Sequence, residues 1–539
     1  MQTQDLSYKL NNHHFEVKLS ESKVDVSVEV FSLENVYTLP KPSLVNGSEY
    51  RFNNLIWGND VFEPADVIVD VLPNTISAKI NFNRDIRSVK YRFDNLPLGK
   101  LISMTDGEHE VTEYGRNYHY PEGWRSMSHP LLVFKLENGK YLFVRSLENT
   151  VERKYFFVKK IGEHSMRVDV VQEQHGTSLS HSFNVPTVEF GVCNTKEEIY
   201  ESQSKLMEKN YNLQPFENSK IVPPWLKDIS LVVTMHMETF TGYVFHTYEK
   251  AYEDILKLSK YVDPRRILVY MAGWEGRYYY KYGNYCPDER MGGEEKLKFA
   301  VKKMKELGCK VIAMYGINIV NKNLPMIKNI YEESEFQSIS GAKYHNGSVD
   351  WEGAHHYDFN ELVNLNIASP LWGNELYKQI KENTLKYDFD GAFLDIAACY
   401  VNDRNHSLFK GVCDFCDRLR TIKKDFLVSG EGFYDGLAKA IPLFQSGHTD
   451  GEMHYHDYPS EELFTKYVRE FAHLCLGDPS RGSSGVHELG TNTLYKTPLR
   501  KGIIPTISLV EDSIDENNQR FMEIIDLVHA YEKEFLHVA

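Results

Sequence analysis

The chain has 539 residues, too many for one ordinary core, and its 42% hydrophobic content marks it as globular rather than disordered or fibrous. A formal charge of −15 and a pI near 5.8 repel nucleic-acid backbones and anionic membranes, so neither is expected as a partner. No apolar run is long enough to span a bilayer, which leaves a soluble protein handling a small neutral or cationic substrate.

Residues 1–195 read as β structure. "VDVSVEVFS" (24–32) alternates apolar and polar residues as a half-buried strand does. "ADVIVDVLPNTISAKINFN" is two strands around a Pro-Asn turn, and "LLVFKLENGKYLFVRSL" (131–147) is a hairpin turned by Asn138-Gly139. "RKYFFVKKIGEHSMRVDVVQE" repeats the pattern. Many short strands with close turns predict a β-sandwich. Within it "EYGRNYHYPEGWRSMSHP" (113–130) breaks the alternation, and either packs as a surface loop or reaches toward the second domain.

At Thr195 the period changes. "TKEEIYESQSKLMEKN" has an N-cap threonine and helical spacing, and "FENSKIVPPWLKD" with Pro223-Pro224 reads as a boundary, so 196–225 is a linker segment. From 226 to 539 strand and helix patterns alternate. The strands are "ISLVVTMHMET" (229–239), "ILVYMAGWEG" (267–276), "KVIAMYGIN" (310–318), "FDGAFLDIA", "FLVSGEG" (426–432), a weak sixth near "LFQSGHTD", and "GIIPTISLV" (502–510). The helices between them include "YEKAYEDILKLSKY", "EEKLKFAVKKMKELG", "ELYKQIKENTLKY", "LFKGVCDFCDRLRTIKK" and "SEELFTKYVREFAHLCL", and "NNQRFMEIIDLVHAYEKEFL" closes the chain. Near-continuous apolar strands between amphipathic helices predict a parallel sheet covered on both faces. Seven or eight such units in this length suit a (β/α)8 TIM barrel, with the seventh strand expected within 473–496.

In such a barrel the chemistry sits at the C-terminal ends of the strands. The residues that end them are Glu238, Glu275, Asn318, Asp395, Glu431 and Asp450. Gly391, Phe393 and Asp395 share one face of the fourth strand, and Leu427, Ser429 and Glu431 one face of the fifth. If both faces point inward, Asp395 and Glu431 converge on one mouth. Two carboxylates are the minimum equipment for cutting a glycosidic bond: one stays ionised as a nucleophile and the other delivers a proton. Ion pairing to arginine or capping of a helix is the ordinary alternative for either carboxylate alone.

"DFDGAFLDIA" resembles the nucleophile motif on the fourth strand of retaining α-glycoside hydrolases with TIM barrels, as in the α-galactosidase, α-glucosidase and α-amylase superfamilies. "FLVSGEGFYD" resembles the fifth-strand acid/base motif of the α-amylase-like and endo-α-N-acetylgalactosaminidase-like groups. "NIASPLWGNELYKQIKENTLKYDFDGAFLD", with Trp372 opening a helix, resembles the wider pattern, as does a sandwich placed before the barrel. The resemblance implies Asp395 as nucleophile and Glu431 as acid/base, an α-linked oligosaccharide or glycoside as substrate, and no cofactor. The α-galactosidase-like and α-glucosidase-like groups take their acid from an Asp after the sixth strand, a place Asp450 could fill. The C-terminal β-domain common in these families does not follow the last helix, and oligomeric state stays open.

Further candidates surround this mouth. Trp274 with Glu275 precedes the aromatic loop "GRYYYKYGNY", which either stacks a sugar or packs as a lid. Tyr315, Asn318 and Glu238 are expected to bind hydroxyls, and His355 and His356 lie in a long loop after the third strand. His454 and His456 form an H-x-H in "HYHD", the basis of an alternative metal-dependent hydrolase; contact with sugar is the favoured role. A non-catalytic carbohydrate-binding barrel is a third alternative. Neither GxGxxG after a strand, GxxxxGK[ST] nor GxSxG occurs, which removes support for a nucleotide cofactor or an esterase elbow. The opening "MQTQDLSYKLNNHHFEV" lacks a signal-peptide pattern and the seven cysteines are odd in number, "CDFC" (Cys413, Cys416) reading as structural thiols; both predict a cytoplasmic protein.

Overall fold

The computed structural model describes residues 7–9 and 13–537, apart from 59, 104–107, 122–126, 149, 239–242, 277–280, 344–361, 447, 450–452, 455–462, 473–498 and 510–513. Asp450, His456, His355 and His356 therefore lie outside the described residues, as does the side chain of His454.

The N-terminal part forms one antiparallel hydrogen-bonded sheet of 16 described strands that folds back on itself. In the strand Ser22–Ser32, Val24, Val26, Val28 and Val30 are buried while their neighbours are half-exposed, which is the alternation a one-sided sheet requires. Phe93 and Phe190 lie far apart along the strand order, yet their rings are 5.0 Å apart. Gln172 donates to Ser146 Oγ at 3.1 Å across the same gap. These contacts make the curled sheet a sandwich, as expected. The hairpin at Asn138-Gly139 is present, with Gly139 at φ +77°.

Helix α1 (Lys196–Tyr211), capped by Thr195 through Glu198 N–H, leads into the second domain. Its parallel strands are β1 (Leu231–His236), β2 (Ile267–Ala272), β3 (Lys310–Gly316), β4 (Gly391–Asp395), β5 (Leu427–Glu431), β6 (Leu443–Ser446) and β7 (Arg469–Ala472), with β8 in two pieces, Ile503–Ile504 and Thr506–Leu509. The first piece of β8 pairs with β7 and the second with β1, which closes the barrel. Pro505 explains the break: it has no N–H to give, but its carbonyl accepts from Val232 N–H at 2.9 Å. Tyr270, Phe393 and Phe471 meet in the barrel interior, Tyr270 and Phe393 at 4.2 Å. Helices α2 (Tyr248–Leu258), α3 (Gly293–Leu307), α4 (Pro370–Tyr387), α5 (Leu408–Arg420) and α6 (Gln519–Phe535) follow β1, β2, β3, β4 and β8.

The seventh strand corrects the sequence reading. It is Arg469–Ala472, inside the segment expected to be a long helix and ahead of the expected 473–496. Leu463, Phe464, Tyr467, Val468 and Phe471 have helical spacing, but the four strand residues are buried between β6 and β8 and use their backbone groups there. Tertiary pairing outweighs the local period.

The sandwich is fastened to the loops that leave β4 and β5. Tyr400 donates to Val151 O at 3.1 Å, and Arg153 donates to Tyr400 O at 3.1 Å. Asn402 accepts from Gly176 N–H at 2.7 Å and donates to Gln174 O at 2.8 Å and Glu173 Oε2 at 3.1 Å. A Cβ at Gly176 would fall 2.5 Å from Asp403 O, so only glycine allows this approach.

Glu152 sits in this interface, 3.4 Å from both Tyr400 OH and His175 Nε2. Burial pushes its carboxyl up to about 8 and nearby Glu173 adds to that, against the Tyr400 hydrogen bond. The folded state thus holds a proton that the unfolded chain gives up near the ordinary value of 4.5, so this contribution to stability is full below that pH and is lost as pH rises through about 8. Glu152→Gln, which mimics the protonated acid, should raise the melting temperature at about pH 9 and change it little at about pH 5. Thermal unfolding across that range, wild type beside variant, checks it.

Candidate active site

Asp395 is the last residue of β4 and Glu431 the last of β5. The register pairs Leu394 with Gly430, so the next residues along, the two acids, stand side by side at the C-terminal mouth. Adjacent strands lie about 4.8 Å apart, which suits two carboxylates that act on one centre. Glycine makes the close packing possible: a Cβ at Gly391 would lie 2.4 Å from Leu427 O, and one at Gly430 2.9 Å from the Ala397 Cβ.

Each acid is held by a particular donor. Tyr282 OH donates to Asp395 Oδ2 at 2.6 Å, and both side chains are buried. The phenol fixes one oxygen of the carboxyl group in place. Glu431 is half-buried, and its Oε2 accepts from the backbone N–H of Ile396 at 2.9 Å. That N–H can point at Glu431 because Ile396 has φ +55°, a left-handed conformation that a β-branched residue adopts only at a cost. Two further bonds hold the bend: Asn318 Nδ2 donates to Ile396 O at 3.1 Å, and Ala398 N–H donates to Glu431 O at 3.0 Å.

Beside this pair, at the ends of β1 and β2, lies a charge cluster. Glu238 and Asp288 both pair with Arg290, and Asp288 also pairs with Lys281. Burial pushes Glu238 up despite Arg290. Burial pushes Asp288 up as well, but there Lys281 and Arg290 outweigh it and hold the carboxyl below its ordinary value. Glu275 is fully buried; burial raises the phenols of Tyr248, Tyr285 and Tyr315, and the nearby Glu275 adds to that.

The residues expected at the mouth divide into two groups. Asn318 and Glu431 both bond the backbone of Ile396, the residue next to Asp395. Trp274, Tyr315 and Trp372 are enclosed, with exposures of 0%, 1% and 0%, and leave no ring face open for stacking. Trp274 donates to Met314 O at 2.9 Å and packs on Tyr315, Tyr387 and Phe389, and Trp372 donates to Ile317 O at 2.7 Å. Of the aromatic loop after β2, Tyr282 and Tyr285 are buried hydrogen-bonding residues, Tyr285 OH accepting from Gly316 N–H at 2.7 Å. Tyr282 and Ile396 were not singled out from the sequence. The tyrosine-rich loop and the residue following the Asp of "FLDIA" were the available signals.

Among the described residues no group of three or more His, Cys, Asp or Glu has the geometry to hold a metal ion. No helix of the described residues is long and apolar enough to cross a membrane.

No protein-family model and no curated protein sequence matches the chain. Solved structures do resemble it. Ligand-free α-N-acetylgalactosaminidase NagBb from Bifidobacterium bifidum superposes with a TM-score of 0.70 at 11% identity, over 99% of this chain and 92% of that one. A GH31 family sulfoquinovosidase from E. rectale, bound to an aza-sugar inhibitor, gives 0.56 at 12% identity, over 98% and 83%. A GH36 α-galactosidase, AgaA, from Geobacillus stearothermophilus, bound to 1-deoxygalactonojirimycin, gives 0.51 at 12% identity, over 99% and 74%. At these identities the likeness establishes the fold, a sandwich followed by a TIM barrel of the kind found in α-glycoside hydrolases.

The strain at Ile396 has a measurable consequence. Ile396→Gly should be more stable than Ile396→Ala by about 1 kcal/mol, the reverse of the usual order, because glycine alone relieves the left-handed backbone. Denaturant unfolding of the two variants decides the order.

Proposed function

We propose that the protein is a retaining glycoside hydrolase acting on an α-linked sugar, with Asp395 as nucleophile and Glu431 as acid/base. The observation that carries this reading is the side-by-side pair at the ends of β4 and β5, each acid held by its own donor. Asp395 attacks the anomeric carbon while Glu431 gives its proton to the departing oxygen, so the glycosidic bond breaks as the glycosyl–aspartate ester forms. Glu431, now ionised, takes a proton from water. The hydroxide equivalent displaces Asp395 and releases the sugar with its original anomeric configuration.

The α preference is supported by the names of the structural neighbours, an α-N-acetylgalactosaminidase and an α-galactosidase, which also choose the first sugars to test. Glu238 and Asn318 are as enclosed as the aromatics and steady the mouth, Glu238 through Arg290 and Asn318 through Ile396 O; Asp450, His454 and His456 keep from the sequence the proposed contact with sugar hydroxyls. Trp274, Tyr315, Glu275 and Trp372 act as packing behind the mouth. A reducing compartment such as the cytoplasm suits the buried thiols of Cys413 and Cys416, which burial pushes up to about 12.

Hydrolysis of aryl α- and β-glycosides, with galactosides and N-acetylgalactosaminides first, tests the reading. Asp395→Asn should lose turnover to background. Glu431→Gln should lose ~10³-fold on substrates with poor leaving groups, and azide should restore activity in one of the two variants as a glycosyl azide. EDTA should change nothing. Full activity in both variants would move the chemistry to Asp450 or the histidines, and chelator sensitivity would favour the metal-dependent alternative.

A further inference from the structure

We propose that the sandwich domain positions the acid/base of the barrel, through the Tyr120–Asp435 hydrogen bond; this rests on reading Glu431 as the acid/base. Among the described residues, β1, β2, β3, β4 and β8 are each followed by an α-helix that fixes the departing loop. Behind β5 the chain makes only the short 3-10 turn Asp435–Lys439 before β6 begins. What a helix would supply there comes from the other domain.

Asp435 lies four residues beyond Glu431 and is buried. Its Oδ1 accepts from Tyr120 OH at 2.7 Å and from Gly436 N–H at 2.8 Å, and its own N–H donates to Ser128 O at 2.8 Å. Tyr120 and Ser128 belong to the sandwich, in the segment (113–130) that broke the strand alternation. Tyr120 is itself enclosed, with the Lys154 ammonium 5.1 Å from its ring centre. A Cβ at Gly436 would strike Val151 of the sandwich at 2.4 Å, so the turn rests directly on that domain. Between Glu431 and Asp435, Gly432 has φ +72° and Phe433 is wedged on Phe444 and Phe464 at 5.0 and 4.5 Å, which leaves little slack.

The loop after β4 is tied to the same domain through Tyr400 and Asn402, and the two loops are tied to each other by Ala398 N–H on Glu431 O. Both carboxylates therefore leave strands whose following loops are clamped by the sandwich. A general acid works only within hydrogen-bond reach of the leaving oxygen, and a shift of 1 Å costs about 10²-fold. Tyr120 and Asp435 are thus positioning residues. They act through the backbone that carries Glu431.

The leaving group separates positioning from simple interdomain adhesion. A misplaced acid slows cleavage of poor leaving groups and spares activated ones, which need no proton. In the full-length protein, Tyr120→Phe should lower kcat/KM on a phenyl glycoside ~10-fold more than on the 2,4-dinitrophenyl glycoside of the same sugar. Asp435→Asn, which keeps an acceptor oxygen for Tyr120, should lose less of that ratio than Asp435→Leu. Equal losses on both substrates, or no loss, would overturn the proposal. Should the wild type cleave no glycoside, the reading of Glu431 fails on its own; hydrogen exchange then judges the brace. Faster exchange in Tyr120→Phe at 396–403 and 432–438, with the barrel strands unchanged, supports it, and unchanged exchange there overturns it. The same exchange measurement on Asp435→Asn and Asp435→Leu serves if Tyr120→Phe does not fold.

Discussion

Parallel pairing of β4 with β5, Leu394 opposite Gly430, is the constraint on which the site depends. A slip of one residue would turn one acid from the barrel interior to its outer face, because side chains alternate along a strand. Several features hold this register. Gly391 lets β4 lie against the Leu427 carbonyl, Ser429 Oγ donates to Leu443 O at 2.8 Å from the next strand, and Phe393 packs with Tyr270 in the interior one step below Asp395. The register is thus set by the closed barrel as a whole. The acids inherit it.

Register alone leaves the carboxyl groups free to rotate. Their orientation comes from groups outside the two strands: Tyr282 from the loop after β2, Asn318 after β3, and the left-handed Ile396 after β4. The cost of one strained residue, about 1–3 kcal/mol, is offset by bonds at both of its peptide groups, an amide to Glu431 and a carbonyl from Asn318. Strain of this kind persists where the surroundings over-determine it. Here the surroundings include a second domain.

The sequence made most of the barrel legible because its strands are short apolar runs bounded by helix caps and glycines. Strands β1 to β3 are buried at every residue save Lys310, and no alternating pattern competes with that reading. "REFA" was not legible: Arg469 and Glu470 are polar, the flanking aromatics repeat at helical spacing, and its burial comes from partners on both sides. The two acids could be read because each ends a strand. The donors that hold them could not, since Tyr282 reaches Asp395 across 113 residues and Tyr120 reaches Asp435 across 315. The tryptophans misled for a related reason. An aromatic just past a strand or at the start of a helix looks the same in sequence whether its ring faces the mouth or the packing behind it, and Trp274 and Trp372 give their indole N–H groups to buried carbonyls.

Charge at the mouth follows from the same geometry. In a chain of net charge −15, Asp395, Glu431, Glu238 and Asp288 gathered at the ends of barrel strands would repel one another. Arg290 and Lys281 pair with Glu238 and Asp288, so the charges of those two acids are balanced within a few side chains, and Tyr282 gives Asp395 a hydrogen bond. Such balance costs less desolvation than isolated acids would, and it leaves polar atoms rather than net charge facing the space above β1 and β2. A neutral sugar, dense in hydroxyls and without charge of its own, is the ligand that a rim of paired acids and bases accommodates best. Asp395 and Glu431, which end adjacent strands at this rim, are the acids on which the proposed chemistry rests.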